Sequence, residues 1–281
     1  MKKNKESKKK KLEPAGYESK YTKRDLTIYI TLRILVIAVM IRQIFTGDWN
    51  NVFLCILTLF LFTFPTILQR KLNVTLPHTL EHIILLFIFA AEILGEVHNF
   101  YGIFKNWDTI LHTLNGFLCG AIGFALIDLL NRTERFHITL TPVFVALVAF
   151  CFSMTIGVLW EFFEFGVDNF LKTDMQKDEI VTSISTVTLD ETKTNKSIHI
   201  NNIKSTTIYS VDKEGNTVLT TIDKGYLDIG LNDTMKDLFV NFIGALSFSI
   251  LGLLYIKDRD EYKFLEQFMP MMRKKKEESK K

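Results

Sequence analysis

The sequence has few cysteines, a small net charge and no recognisable metal-binding motif. Among 281 residues there are three cysteines, each alone inside an apolar run, and the formal net charge is only +3. We therefore interpret Cys55, Cys119 and Cys151 as packing residues, which excludes a zinc ribbon or a paired redox site. No HExxH motif is present, so a metalloprotease of that type is excluded as well.

The N-terminal segment lacks the features of a cleavable signal peptide. The polar stretch 1–24 is longer than a typical signal n-region, and no small-residue cleavage site follows the first apolar run. Positive charges crowd 2–11 and 273–276, and such blocks of like charge are typical of solvated tails. Beside membrane spans, their expected partner is the anionic cytoplasmic lipid surface, and nucleic acid is not expected.

Long apolar runs occupy most of the chain between the charged tails. The hydrophobic content of 48% is near the soluble average, so the distribution of these residues, not their number, indicates a membrane protein. A spanning helix needs about 20 mostly apolar residues. The sequence predicts an all-α integral membrane protein with six transmembrane helices, at about 25–45, 52–68, 79–97, 107–130, 138–168 and 233–256.

The charges in the short loops predict the orientation of these helices. Lysine and arginine lie in 69–78 and 131–137, whereas 46–51 has neither and 98–106 has one lysine. The positive-inside rule then places both termini in the cytoplasm. The predicted organisation is a basic cytoplasmic tail, five spans, an extracytoplasmic loop, a sixth span and a charged cytoplasmic tail, at 1–24, 25–170, 171–232, 233–257 and 258–281.

The loop at 171–232 differs from the rest of the chain. Several stretches alternate polar and β-branched residues, and a Gly-Asn pair follows Glu214. This pattern predicts short strands and at least one hairpin, and hence a small β-rich extracytoplasmic insertion. Two interpretations stay open, a solvated insertion with no site of its own, or a lid or partner-binding surface.

Ionisable and amide side chains collect at the predicted outer ends of four helices. Spacings of three or four residues place each set on one helical face. The four sets are Glu92 and Glu96; Asp108, His112 and Asn115; Glu161, Glu164 and Asp168; and Asp233, Asp237 and Asn241. Because such groups are costly in contact with lipid, we expect them to face one another in an outward-facing pocket.

Small residues on the fourth and sixth helices favour a direct contact between those two spans. They recur at intervals of about four residues, a spacing that lets membrane helices approach closely. The residues are Gly116, Gly120 and Gly123 on one helix, and Gly244, Ala245, Ser249 and Gly252 on the other.

Carboxylates beside one imidazole suit Mg²⁺, Mn²⁺ or Zn²⁺. The predicted metal ligands are Glu92, Asp108, His112, Glu161 and Asp237. Glu164 is the candidate general base, and Glu96, Asn115, Asp168, Asp233 and Asn241 complete the pocket. Arg42 either extends outward to the membrane surface or turns toward the carboxylates as a counter-ion or phosphate clamp. A protonated, hydrogen-bonded network and a proton or ion path are the alternatives to a bound cation.

These residues resemble a family pattern. Trp107-Asp108 with His112, Glu161 with Glu164, and Asp233, Asp237, Asn241 and Gly244-Ala245 resemble the YjdF-like family of bacterial inner-membrane proteins. The final helix is more remotely similar to VanZ-like proteins. The resemblance covers about 92–252 apart from the insertion at 173–224. It implies the bacterial plasma membrane and cell-envelope biology, and the family supplies no established activity.

Three functions follow as hypotheses. The first is a metal-assisted enzyme acting on an amphipathic envelope substrate, such as a lipid-linked phosphate or ester. The alternative is a non-catalytic protein that binds envelope components or cations. A transporter is the third, and the lack of paired interrupted helices or repeated halves argues against it. The lipid bilayer is the expected partner in each case, and the sequence does not indicate an oligomeric state.

Overall fold

A computed structural model describes residues 22–72, 74–132 and 140–272, and the architecture there is mostly helical with small two-stranded sheets. Within these residues, five helices are long and apolar enough to cross a membrane: Lys23–Thr46, Trp49–Lys71, Trp107–Asp128, Pro142–Leu171 and Leu231–Lys257. The predicted multi-span helical class is therefore confirmed. The third predicted span, 79–97, is not among the five, so the count of six stays a prediction.

The second predicted span is interrupted. Helix α1 (Lys23–Thr46) is followed by α2 (Trp49–Leu61) and α3 (Phe64–Leu72), with a turn at 62–63 between the last two. Pro65 has no N–H to donate to the Leu61 carbonyl, and its ring crowds that carbonyl, so the helix breaks one turn before the proline. The apolar run 52–68 predicts one continuous helix, and the break is a departure from that prediction.

The third predicted span changes its helical type. Helix α4 (His78–Ile88) continues into a π-helical segment, Phe89–Val97, and then a short helix α5 (Phe100–Ile103). The Tyr101 ring lies so close to Gly95 that a Cβ there would overlap it. π-helical hydrogen bonds join i to i+5, so the turns of this segment are wider than those of the α-helix that the sequence predicts.

Three long helices form the centre of the bundle. They are α6 (Trp107–Arg132), α7 (Pro142–Leu171) and α8 (Leu231–Lys257), and α6 makes its most extensive contact with α8. A Cβ at Gly116 would overlap the Asn241 carbonyl, and one at Gly244 would overlap the Thr113 carbonyl. The expected contact between the fourth and sixth spans is confirmed, and glycine makes that approach possible.

Residue 138, the predicted start of the fifth span, lies outside the described residues, and the helix begins at Pro142. Thr141 caps it by accepting a hydrogen bond from the Phe144 N–H, and proline suits the first helical position because its missing N–H would have no partner there. The helix ends beyond the predicted 168. These differences move the helix ends but not the polar face, because Glu161 and Glu164 stay in the last turns.

The β-rich insertion is present as antiparallel pairs. One short pair, β1 (Val74–Thr75) with β8 (Met271–Met272), lies outside it. The insertion contains β2 (Ile180–Val181) with β7 (Tyr226–Leu227), β3 (Ile184–Thr186) with β4 (Ile198–Ile200), and β5 (Ser205–Val211) with β6 (Thr217–Asp223). Gly215 adopts φ +86° in the last hairpin, as its turn requires.

Candidate functional site

His112 lies where α6, α7 and α8 meet, at the end of the bundle that we call the polar end because Asp108, Glu161 and Asp233 lie there. Its Nε2 is 3.4 Å from an Asp108 oxygen and 3.7 Å from an Asp237 oxygen. Its Nδ1 is 3.8 Å from a Glu161 oxygen. One imidazole therefore faces acids from three helices that are far apart in sequence.

Three of these side chains could hold one cation. One ligand atom each from Asp108, His112 and Asp237 lies within 4.8 Å of the other two. Two carboxylate oxygens and an imidazole nitrogen suit a divalent first-row metal or Mg²⁺. Glu161 lies on the opposite ring nitrogen, so it can orient the imidazole instead of joining the same ion. We call Asp108, His112 and Asp237 the triad.

Two buried oxygens at the triad accept no hydrogen bond from any residue that the structure describes. They are Asp237 Oδ1 and Glu161 Oε2, and both carboxyl groups are nearly inaccessible to solvent. A buried polar atom without a partner is costly unless a ligand, ion or proton satisfies it. The Asp237 oxygen therefore fits a bound cation, and a proton on this carboxyl group would fit it as well.

Sequence reasoning missed Lys236. Its Nζ is 3.2 Å from an Asp108 oxygen and 3.9 Å from an Asp233 oxygen. Lys236 lies between the predicted pocket acids Asp233 and Asp237 in the sequence. Its i+3 spacing from Asp233 would have placed it on the same helical face as that acid. This cation offsets part of the negative charge at the triad.

Three predicted pocket acids bind the first residues of the insertion and do not join the triad. Asp168 accepts hydrogen bonds from the Thr173 hydroxyl and from the Met175 and Gln176 N–H groups at 2.7, 2.7 and 2.9 Å. Asp233 accepts the Lys177 N–H at 2.9 Å, and Glu96 accepts the Lys177 ammonium at 3.0 Å. These contacts fix 173–177 across the polar end. The insertion could not be placed from spacing, which is why the sequence analysis grouped these acids with the others.

The two predicted asparagines meet below the triad. The Asn115 amide donates to the Asn241 carbonyl oxygen at 3.1 Å, and the Asn241 amide lies 3.5 Å from the Met154 sulfur. Ser153 adds a hydrogen bond to the Gly116 carbonyl at 2.7 Å. This polar layer ties α6, α7 and α8 together and supports the triad above it.

Three further predicted site residues do not belong to the triad, and they are Glu164, Glu92 and Arg42. Glu164 accepts the Trp160 indole N–H at 2.8 Å. Glu92 is buried in the π-helical segment, and its Oε2 has no hydrogen-bond partner among the described residues. Arg42 is exposed on α1, which packs against α2 and α4, so the structure favours its lipid-surface alternative.

A cavity of about 450 Å³ adjoins the triad, and no pattern in the sequence predicts it. Its lining is mostly apolar and comes from α2, α3, α4, α5, α6, α7 and the π-helical segment. Four polar side chains line one end, and they are Glu92, Tyr101, His112 and Asn115. His112 therefore belongs to both the triad and the cavity wall.

A second histidine cluster lies on α1 and α4. Asp25 Oδ2 is 3.0 Å from His78 Nδ1, and Asp25 Oδ1 is 3.0 Å from His82 Nε2. Asp25 also accepts the Thr22 N–H and hydroxyl hydrogen bonds that cap α1. The i, i+4 spacing of the histidines was visible in the sequence, and the structure shows that this cluster fixes α1 against α4.

The fold and the polar end define a polytopic membrane protein with a buried acid–histidine cluster. A family model described as "Predicted membrane protein (DUF2238)" matches residues 27–258, so the chain belongs to this family. The chain is also 27% identical over 107 residues to an "Uncharacterized protein" of Thermotoga maritima. That match covers 38% of this chain and 53% of the relative, so the chain spans about half the length of the curated relative it matches. No solved structure matches.

These comparisons bear on the resemblance noted from the sequence. Membership of a membrane-protein family agrees with the YjdF-like resemblance in its class, and the finer family assignment stays a prediction. The VanZ-like similarity finds no support in either match.

Proposed function

We propose that this protein is a metal-assisted enzyme of the bacterial plasma membrane that acts on an amphipathic substrate carrying a phosphate or an ester. The triad would hold Mg²⁺, Mn²⁺ or Zn²⁺ beside the mouth of an apolar cavity. The observation that carries the proposal is the double position of His112, which faces Asp108 and Asp237 on one side and lines the cavity on the other. A cation there would lie against the polar group of a molecule whose apolar part fills the cavity.

Each side chain around the triad has a distinct role in this proposal. A bound cation would polarise a phosphoryl or carbonyl oxygen and stabilise the charge that develops on it. Glu161 would hold the His112 ring from its Nδ1 side, and Lys236 would balance the charge of Asp108. Glu164, positioned by Trp160, would accept a proton from an attacking water.

The orientation in this proposal is six spans with both termini in the cytoplasm and the polar end outward. It is supported by the positive charges that the sequence carries in 69–78 and 131–137. The sixth span would be α4 with the π-helical segment, since 79–97 is apolar enough to be placed by sequence although the helix type changes within it.

Metal analysis of the detergent-purified full chain tests the cation. We expect about one divalent ion per chain in the wild type, and loss of it in the His112→Ala, Asp237→Ala double variant. His98→Ala is the matched control, because His98 is an exposed histidine outside the triad whose Nδ1 contacts the Ile93 carbonyl. Equal metal content in wild type, double variant and control, or no metal in a folded wild type, would overturn the proposal.

The second candidate is a non-catalytic protein that binds cations or envelope components. The Lys236–Asp108 ion pair at 3.2 Å favours its metal-free form, a protein that binds envelope components, because an internal cation already offsets one triad acid. A stoichiometric metal without hydrolysis of phosphate or ester lipids in vesicles would select this candidate. A transporter is the third, and accumulation of a radiolabelled divalent cation inside proteoliposomes would select it.

A further inference from the structure

The depth of the cavity matches one leaflet of a bilayer. Its lining on α6 runs from Leu111, beside His112, to Ile122. At a helical rise of 1.5 Å per residue these positions are about 16 Å apart along the axis. The hydrocarbon core of a bilayer is about 30 Å thick, so this length is about half of it.

The volume of the cavity matches one hydrocarbon chain. If a methylene group occupies about the volume of a liquid water molecule, ~30 Å³, the cavity of about 450 Å³ holds about fifteen of them. The cavity is therefore large enough for a fatty-acyl chain of ordinary length. The shape and the volume therefore point to the same occupant.

The two ends of the cavity differ in chemistry. The deep end is lined by apolar side chains, among them Leu76, Leu118 and Ile122. The other end presents the Glu92 carboxyl group, whose Oε2 is buried and has no hydrogen-bond partner among the described residues. A polar headgroup at this end would supply the missing hydrogen bond, and an entirely apolar ligand would not.

The cavity is open to the side of the bundle. Phe60 and Phe64 line it at the break between α2 and α3 while remaining 60% and 50% exposed, and Leu159 on α7 lines it while 54% exposed. Side chains that line a cavity and also face outward mark its opening. Since this surface faces lipid in a membrane-spanning bundle, a chain can enter directly from the bilayer.

From this geometry we infer that the cavity binds one hydrocarbon chain of a membrane lipid, with the lipid headgroup beside Glu92 and His112. As the substrate class of the reaction, this inference rests on the proposed function. As a binding site it is tested separately, because the chain contacts the cavity wall and the cation contacts the triad.

Photocrosslinking in detergent tests the chain site. The probe is palmitic acid with a diazirine on its terminal carbon, added to the purified full chain and competed with unlabelled palmitic acid. We expect saturable labelling of peptides that cover 60–66 or 116–123, which line the deep end. Labelling spread over the exposed faces of α1 and α7, without competition, would overturn the inference.

Two cysteines supply a matched pair of variants. Cys119 lines the cavity, and Cys151 is exposed on α7 outside it. Cys119→Phe should lower labelling of the deep-end peptides at least tenfold, whereas Cys151→Phe should leave it unchanged. Ala91→Leu also fills the cavity, and its labelling of the deep-end peptides is measured instead if Cys119→Phe does not fold. Wild-type labelling in a folded cavity-filling variant contradicts the inference.

A parallel arm with a diacyl phosphatidylglycerol bearing the diazirine on one chain distinguishes the source of the chain. If labelling saturates at a lower concentration of the fatty acid, the bound molecule is a single-chain lipid. If it saturates at a lower concentration of the phospholipid, the cavity binds one chain of a bilayer lipid. Labelling by neither probe overturns the inference. Labelling should persist in Asp237→Asn, in which cation binding is lost. Saturable labelling of the cavity without metal binding would contradict the proposed function alone. Metal binding without labelling of the cavity would contradict the cavity inference alone.

Discussion

Asn115 on α6 donates a hydrogen bond of 3.1 Å to Asn241 on α8, across 126 positions of sequence. Asn241 is 1% exposed, and its amide also approaches the Met154 sulfur on α7. This contact fixes the crossing of α6 and α8 directly below the triad. The positions of Asp108, His112 and Asp237 therefore depend on it.

Replacing Asn241 should destabilise the bundle. Asn241→Ala removes the acceptor for Asn115 and leaves a buried amide without its partner, which we expect to cost about 1–2 kcal/mol of unfolding free energy. Reversible unfolding of the protein in mixed micelles measures the change. Asn169→Ala is the matched control, because the exposed Asn169 amide bonds only the Phe165 carbonyl of its own helix. Equal stability of the two variants would contradict the role given to Asn241.

Replacing glycine by alanine should change the free energy of unfolding in opposite directions at two positions. Gly116→Ala places a methyl group against the Asn241 carbonyl and should separate α6 from α8, whereas Gly166 on α7 has no atom within 4 Å of a Cβ. We expect Gly116→Ala to lose about 1–3 kcal/mol through overpacking. Gly166→Ala should be neutral or gain up to about 1 kcal/mol from helix propensity. The same unfolding measurement applies, and a stable Gly116→Ala would refute the close contact.

Removal of the Lys236 ammonium should strengthen cation binding. This group lies 3.2 Å from Asp108 and repels any cation at the triad. A like charge near 4 Å is worth about 1–4 kcal/mol at effective dielectric constants between bulk water and a protein surface, so Lys236→Met should lower the Kd for Mn²⁺ at least about fivefold. Titration calorimetry of the metal-depleted protein measures it, with Lys257→Met as a control at the opposite end of α8. Weaker Mn²⁺ binding in Lys236→Met would show that the lysine supports the site instead.

The turn around Asp190 should be sensitive to acid. Hydrogen bonds from the Thr192 hydroxyl and from the Lys196, Thr192 and Thr194 N–H groups lower the pKa of this carboxyl from 3.8 to about 2. A lowered folded-state pKa stabilises the turn above the unfolded value, and that contribution is lost as the pH falls from about 4 through about 2. Amide exchange of 190–196, corrected for intrinsic rates, should show this loss. In Asp190→Asn protection should be weak and independent of pH, and strong pH dependence in that variant would contradict the assignment.

The long helices were predictable because apolar content and length decide them. The close contact of α6 with α8 was predictable too, since glycines and small residues at intervals of about four permit it. Asp108, His112 and Asp237 could be predicted as pocket residues from their helical spacing and from the cost of ionisable groups in lipid. Each of these inferences uses information within one helix or a rule about the bilayer.

The features that were missed depend on contacts between distant segments. The π-helical segment that carries Glu92 and Glu96 is one of them, and no spacing rule that assumes an α-helix detects it. Lys177 comes from the insertion and binds Glu96, while Asp168 binds the backbone of the same stretch. The cavity arises where several helices leave a gap, which is a property of packing and not of any one helix.

Electron spin echo spectroscopy of Mn²⁺-loaded protein tests the central claim most directly, because it detects a nitrogen nucleus bound to the metal. The account predicts coupling from one imidazole nitrogen, lost in His112→Asn and retained in His98→Asn. Bound Mn²⁺ that shows no nitrogen coupling, or coupling that persists in His112→Asn, would contradict a cation held by Asp108, His112 and Asp237.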